Sequence, residues 1–163
     1  MVIVEVNDQD RANELIKYFD KECFPKEMLL EDDGISHLFE NGARVFEYRT
    51  EFSAVAVMIL VPEAAVYEYE LREADPEMEF DPNGMYCYSI AVLPFHRRKG
   101  IGQSLTRVGL DTARHEGFTS FSAHARISNH WHEGMATTNP QERRIVPNYW
   151  EEDGDVEFQR THL

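Results

Sequence analysis

The residues with the clearest chemical meaning lie in one short stretch, 94–102, which reads PFHRRKGIG. Three cations and two glycines stand between an alternating, strand-like run and a helix-like run. The first N–H groups of a helix have no intrahelical partner and carry partial positive charge, and glycine lets a ligand approach the backbone closely. This order of strand, glycine-rich turn and helix start predicts an anion site, most naturally for a phosphate or pyrophosphate.

The positions of the glycines exclude two common phosphate-binding loops. A Walker A loop needs G-x-x-x-x-G-K-[ST], whereas Lys99 precedes both glycines here. A dinucleotide-binding fingerprint needs a third glycine where this chain has Leu105. The pattern that remains is R-x-x-G-x-G, formed by Arg97, Gly100 and Gly102.

Hydrophobic periodicity predicts the elements that position this turn. The predicted strands are 1–6, 43–49, 53–61, 86–93 and 118–125, and the predicted helices are 10–24, 28–39 and 100–115. Asn7 and Asp8 offer capping oxygens to the first helix, and 148–161 is typical of a closing hairpin around Asp153-Gly154. The order predicts an α/β or α+β fold, a sheet with helices on its faces, in a single domain over 1–163.

A strongly acidic stretch interrupts the pattern between 63 and 84, and we call it the acidic segment. Its eight carboxylates are Glu63, Glu68, Glu70, Glu73, Asp75, Glu77, Glu79 and Asp81, against one base, Arg72. Pro76 and Pro82 break it, so we expect a long surface loop with some extended structure. Such a loop either keeps the protein soluble by its charge or attracts cationic substrates.

Composition argues against several classes of partner. The formal net charge is −14, whereas nucleic acids and anionic membrane surfaces attract clustered Lys and Arg. No apolar run reaches the ~18 residues that a membrane span needs, and no secretory signal is expected at the N-terminus. Cys23 and Cys87 are too few and too far apart for a disulfide framework. We therefore expect a cytoplasmic protein that binds neither nucleic acid nor membrane, and a homodimer is compatible with the sequence.

From about Tyr86 to Asn129 the sequence resembles the GCN5-related N-acetyltransferases, the GNAT superfamily. The resemblance rests on the run 90–92 (IAV), Pro94, the R-x-x-G-x-G motif, and the run 125–129 (ARISN) after the next strand. It implies a GNAT-type fold, in which a mixed, mainly antiparallel central sheet with splayed strands is flanked by helices. It also implies acetyl-CoA as co-substrate and an amine as acceptor.

The resemblance assigns the donor-binding residues one by one. For the pantetheine arm they are Ile90, Ala91, Val92 and Asn129, and for the pyrophosphate turn they are Arg97, Arg98, Lys99, Gly100, Ile101, Gly102, Gln103 and Ser104. In the family the pantetheine arm lies between two splayed strands and bonds their exposed backbone. Asn129 is equally compatible with capping the helix that follows it.

The acid and base positions depart from the family's common pattern. The usual Tyr corresponds to Ala136, and the strand Glu of histone-type relatives corresponds to Tyr86. His124 occupies the position of a Glu in relatives that acetylate ribosomal proteins, and imidazole titrates near neutrality, so it is the candidate base. Tyr149, the one Tyr after Asn129, is the candidate acid for the leaving thiolate.

Other candidates are less specific. Tyr86 is a second candidate acid, and Glu79 and Asp81 are alternative bases acting through water. His130, His132 and Glu133 lack the spacing of a metal site, so no metal is predicted.

The sequence thus predicts an acetyl-CoA-dependent N-acetyltransferase that acts by direct attack of a primary amine in a ternary complex. The acidic segment favours a cationic acceptor, either a small amine, a peptide or a protein Lys. The alternatives are a GNAT-fold protein that binds acyl-CoA or a partner without turnover, and a nucleotide-binding regulator.

Overall fold

The computed structural model describes residues 2–150 and 154–163. Contacts within the chain define two compact units, Met1–Val61 with Tyr88–Leu105 and Pro62–Cys87 with Thr106–Leu163. One strand and one long helix each contribute residues to both units. The prediction of a single domain is not tested by this division and stays a prediction.

The strands are β1 (Val2–Glu5), β2 (Arg44–Arg49), β3 (Ala54–Pro62), β4 (Gly84–Val92), β5 (Ser120–Arg126), β6 (Glu142–Trp150) and β7 (Gly154–His162). The helices are α1 (Gln9–Cys23), α2 (Asp32–Glu40), α3 (Glu63–Val66), α4 (Arg72–Ala74), α5 (Ile101–His115) and α6 (Trp131–Met135). Short 3₁₀ turns occupy Lys26–Met28, Pro94–His96 and Ala136–Thr138, and Tyr67–Leu71 forms a π-helical turn.

The first unit is built on antiparallel pairing of β1 with β2 and of β2 with β3. Asp8 caps α1 as predicted, because its carboxylate accepts a hydrogen bond from the Arg11 amide at 2.7 Å. The apolar side chains of α1 that recur at helical spacing are all buried, and so is β3 from Val55 to Val61. A strand buried on both faces explains why the β3 sequence is apolar at nearly every position.

The second unit is built around β5. Its parallel pairing with β4 joins Gly84–Tyr86 to Ser120–Ser122, and it pairs antiparallel with β7 along its whole length. β6 pairs antiparallel with β7. Side chains of β5 at alternate positions share one face of the sheet, so Ser120, Ser122 and His124 lie in a row.

The structure corrects three sequence predictions. The acidic segment is not an extended loop: it begins with α3, the π-helical turn and α4, because Val66 and Leu71 are buried and anchor it. The second helix begins at Asp32 rather than at 28, since a 3₁₀ turn and an extended stretch come first. The closing hairpin is longer than predicted, with β6 starting at Glu142, and the predicted turn at Asp153 lies outside the described residues.

The fold class is the one predicted, a mixed, mainly antiparallel sheet of seven strands flanked by helices. Across residues 2–150 and 154–163, none of the helices combines the length and apolar character needed to cross a bilayer.

Candidate functional site

The predicted anion site is a turn with unusual backbone geometry in the first unit. Arg98 and Gly100 both have positive φ, at 61° and 77°. The left-handed conformation costs a non-glycine residue about 1–2 kcal/mol, so Arg98 holds local strain of the kind that clusters at binding sites. Downstream, the Ser104 amide and hydroxyl both bond the Gly100 carbonyl, at 3.0 and 3.1 Å, and this fixes the first turn of α5.

The strand end beside this turn is tied to it through one carbonyl. Arg97 Nε donates to the Val92 carbonyl at 2.9 Å, and the Cys23 thiol lies 3.6 Å from the same oxygen. Of the predicted pantetheine-binding residues on β4, Ala91 is buried whereas Ile90 and Val92 are half-buried. The guanidinium of Arg97 is therefore used to hold the turn as well as to supply positive charge.

The remaining turn residues divide into anchors and open positions. Ile101 is buried, whereas Arg98, Lys99 and Gln103 are exposed. A Cβ built on Gly102 meets no atom within 4 Å, so this glycine is not required by packing inside the protein. A glycine in open space at the start of a 15-residue helix, with cations beside it, fits close approach of a pyrophosphate.

The second unit places the predicted base in a buried hydrogen-bonded chain. His124 is only 2% exposed, so it is not a surface histidine. Its Nδ1 lies 3.0 Å from the Tyr86 hydroxyl and its Nε2 lies 2.8 Å from Asp75 Oδ2. Tyr149 stacks on the imidazole at a centroid distance of 4.4 Å, and its hydroxyl is hydrogen-bonded to that of Tyr86.

The protonation states in this chain follow from its surroundings. Burial lowers the pKa of His124, an effect that the carboxylate of Asp75 opposes in part. Burial alone would raise the pKa of Asp75, but hydrogen bonds and charge from His124 and Arg144 outweigh it, so that pKa lies below its usual value. An ionised Asp75 only accepts, so the proton of neutral His124 sits on Nε2 and Nδ1 accepts from Tyr86.

Burial also raises the pKa values of both tyrosines in the cluster. Glu70 adds to this effect, because its negative charge disfavours a phenolate on Tyr86 and on Tyr149. Both hydroxyls are therefore protonated at neutral pH. Each transfers its proton only if it receives a second proton in its place.

The other predicted residues lie apart from this chain. Glu79 is exposed, and its backbone carbonyl accepts from Arg160 at 2.8 Å. Asp81 is bound by Ser120 and Thr119, so neither carboxylate contacts His124. Asn129 is exposed, and its side-chain oxygen accepts from the Trp131 amide at 3.0 Å, as expected for a residue before a helix.

The possibility of a metal was also raised by His130, His132 and Glu133. His130 lies 3.0 Å from Glu133 in an exposed pair. Within the described part of the chain, no three or more His, Cys, Asp and Glu side chains are grouped so that they could hold a metal ion.

Sequence reasoning missed two residues that complete the chain. Asp75 bonds His124 across 49 residues of sequence, and Arg144 bonds Asp75 across 69. Asp75 was one of eight carboxylates in a stretch expected to be a loop. No local pattern marks it, because its partners come from β5 and β6.

Comparison with known proteins identifies the family of the chain. The sequence matches the profile of the acetyltransferase (GNAT) family over residues 11–137. No curated protein matches the sequence significantly.

Many solved structures share the fold. An agmatine N-acetyltransferase in its apo form has a TM-score of 0.72 and 14% identity, with 99% of each chain covered. A complex of Arabidopsis thaliana Naa50 with the bisubstrate analogue CoA-Ac-MVNAL has a TM-score of 0.69 and 14% identity, with 100% of each covered. A ribosomal-protein-alanine N-acetyltransferase from Brucella melitensis has a TM-score of 0.68 and 17% identity, also with 100% of each covered.

Identities this low establish the fold alone, whereas the sequence profile covers most of the chain. The chain therefore belongs to the acetyltransferase (GNAT) family, whose members are N-acetyltransferases that use acetyl-CoA.

Proposed function

We propose that this chain transfers the acetyl group of acetyl-CoA to a cationic primary amine, by direct attack of the amine on the thioester. The observation that carries the proposal is the buried chain in which Tyr86 bonds His124 and His124 bonds Asp75. A neutral imidazole with its acceptor nitrogen toward a tyrosine hydroxyl is the arrangement of a base that works through that hydroxyl.

His124 and Tyr86 are both buried, at 2% and 4% exposed, and the Tyr86 hydroxyl is the group bonded to Nδ1, so we assign to it the transfer of a proton between the bound amine and His124. As the amine loses a proton to the Tyr86 oxygen, the hydroxyl proton of Tyr86 passes to Nδ1, and the imidazolium is stabilised by Asp75. Acylation of an ammonium removes two protons from its nitrogen. One leaves to solvent before the attack. The other passes through Tyr86 to His124; as the C–S bond breaks, Tyr149 donates its proton to the sulfur of CoA and regains one from the imidazolium through the Tyr86 hydroxyl.

The donor is assigned to the turn in the first unit. The positive φ of Arg98 and Gly100, the open space at Gly102 and the adjacent cations support pyrophosphate binding there. A Cβ at Gly102 meets no atom within 4 Å, so Gly102→Trp attaches an indole at a position that internal packing does not fill. We expect Gly102→Trp to keep its unfolding temperature and to lose affinity for acetyl-CoA, and an unchanged affinity would remove the pyrophosphate from this turn.

The acceptor class rests on charge. Five carboxylates of the acidic segment remain exposed, namely Glu68, Glu70, Glu73, Glu77 and Glu79. Glu70 is the one whose charge reaches the two tyrosine hydroxyls. An ammonium group would be attracted to this position, which supports a cationic amine, a basic peptide or a Lys side chain over a neutral acceptor.

The first experiment is thermal unfolding with acetyl-CoA, with ATP and NAD as controls. A ligand at 100 times its dissociation constant stabilises the native state by ~2.7 kcal/mol, which is several degrees for a protein of this size. A shift with acetyl-CoA alone is expected, followed by thiol release with agmatine, spermidine or a Lys peptide. If acetyl-CoA binds but none of these amines causes release of the CoA thiol, the chain is instead an acyl-CoA-binding protein without turnover.

A further inference from the structure

The acidic segment is attached to β5 by a regular row of contacts. Along one face of β5, three successive alternate side chains each bond a different carboxylate of the segment. Ser120 bonds Asp81 at 2.5 Å, Ser122 bonds Glu63 at 3.0 Å, and His124 bonds Asp75 at 2.8 Å. Two of the three β5 partners are serines, which have no part in the proposed chemistry, and the third is the proposed base.

Asp75 is held in place from both sides. Its side chain is 1% exposed, and the guanidinium of Arg144 bonds the same oxygen, Oδ2, that His124 does. Its amide donates to the Leu71 carbonyl at 2.7 Å, and its own carbonyl accepts from the Met78 amide at 3.1 Å. The carboxylate therefore has one position available, against Nε2 of the imidazole.

We propose that Asp75 is a positioning residue, which fixes the proton of His124 on Nε2 so that Nδ1 accepts from Tyr86, with Arg144 anchoring the carboxylate. This inference rests on the proposed function for its catalytic meaning. It assigns the acidic segment an internal role, because the segment supplies the group that orients the base.

The alternative is that Asp75 only clamps the segment to the sheet, as Asp81 does. The two roles differ in what they require of His124. If Asp75 only attached the segment to the sheet, any hydrogen bond to His124 would serve. To position the imidazole proton, residue 75 must accept a hydrogen bond, since only an acceptor holds the proton on Nε2. Asp75→Ala removes the oxygen that accepts from both His124 Nε2 and Arg144, so the imidazole proton is no longer held on Nε2, and a proton on Nδ1 prevents that nitrogen from accepting from Tyr86.

The charged and titratable groups that face His124 are Tyr86 from β4, Asp75 from the acidic segment, Arg144 and Tyr149 from β6, and Arg160 from β7. Of these, Asp75 alone raises the pKa of His124, whereas both arginines lower it. Removing the Asp75 charge consequently lowers that pKa further. The acid limb of the pH profile of kcat/KM then moves to lower pH.

The experiment compares Asp75→Ala with Ser120→Ala, which removes another hydrogen bond between β5 and the acidic segment at a residue that does not contact His124. We expect Asp75→Ala to lower kcat about 10²-fold, within the range that a positioned base supplies. KM for acetyl-CoA should stay within about twofold, and the acid limb should shift to lower pH. Ser120→Ala should leave both kcat and the acid limb unchanged, whatever its effect on unfolding temperature.

A second readout does not depend on activity. The ¹⁵N spectrum of the imidazole, assigned by difference with His124→Gln, distinguishes the Nε2–H tautomer from the Nδ1–H tautomer. The wild type should hold Nε2–H and Asp75→Ala should lose it. A wild-type Nδ1–H tautomer overturns the proposal even if Asp75→Ala does not fold, and equal losses of kcat in Asp75→Ala and Ser120→Ala also overturn it. A wild type that binds acetyl-CoA but acetylates no amine defeats the proposed function instead, while the tautomers still test Asp75.

Discussion

The ion pair of Glu63 with Arg160 offers the sharpest test of how the acidic segment is held. Glu63 is fully buried and Arg160 is 4% exposed, and Nη2 of Arg160 lies 3.0 Å from both carboxylate oxygens. The same nitrogen donates to the Glu79 carbonyl at 2.8 Å. Arg160→Met removes all three contacts at once, while the Ser122 hydroxyl and the Asp81 amide still reach Glu63.

Breaking one side of a buried pair costs about 3–5 kcal/mol, because the remaining charge is left without compensation. At about 2–4 °C per kcal/mol for a domain of this size, the unfolding temperature should fall by roughly 6–20 °C. Burial already raises the pKa of Glu63, so its charged form is the costly one. Because the pKa of Glu63 is higher in the folded protein than in the unfolded chain, the free energy of unfolding falls as pH rises and Glu63 ionises. Removing Arg160 makes this fall larger.

Urea unfolding of Arg160→Met at pH 5 and at pH 8 measures both effects, and the loss should be larger at pH 8. Adding Glu63→Gln to Arg160→Met removes the uncompensated charge and should recover about 2 kcal/mol or more. A loss below about 1 kcal/mol, or a double variant no more stable than Arg160→Met, would refute the argument that this buried pair fixes the segment.

Three further predictions address other parts of the chain. Gly100→Ala and Gly117→Ala both put alanine at positive φ, so each should lower the free energy of unfolding in urea by about 1–2 kcal/mol. Only Gly100→Ala should also raise KM for acetyl-CoA. In ¹³C NMR titrations Asp75 and Asp81 should titrate below 3.8 and Glu63 above 4.5, so the two aspartates stabilise the fold above pH 3.8 and lose that contribution on acidification. Burial raises the pKa of both thiols, so Ellman's reagent should modify Cys23 slowly and Cys87 more slowly, and both at once after unfolding.

The donor turn could be predicted because its chemistry is local. Glycine at positive φ, a helix start and neighbouring cations are all properties of consecutive residues, and 94–102 contains them in order. The unusual conformation of Arg98 was not predictable in the same way, since arginine carries no signal for positive φ. It follows from the path that the chain takes from Arg97, bonded to Val92, into α5.

The acidic segment was predicted wrongly for the opposite reason. Prolines and a high density of carboxylates are typical of exposed loops, and nothing in the sequence pairs Glu63 with Arg160, 97 residues away. Carboxylates that local sequence patterns predict to be exposed become buried when they pair with residues far away in the sequence. The prediction of His124 as base came from its place on β5, but the route through Tyr86 needed the buried contacts that only the fold provides.

The structure also changes what the charge of the acidic segment can do. Its carboxylates divide into three that bind inward and five that face outward with Arg72, so the outward net charge is −4 rather than −7. Putrescine and n-butylamine have the same chain length and differ in one positive charge, so their kcat/KM values isolate electrostatic attraction.

We expect the preference for putrescine to shrink as salt shortens the screening length from ~10 Å at 0.1 M to ~3 Å at 1 M. Glu73→Gln with Glu77→Gln should reduce that preference at low salt and leave stability unchanged, because both side chains are exposed. If the preference survives 1 M salt and the double variant, the second charge is bound by a direct contact rather than attracted by the outward face of the segment.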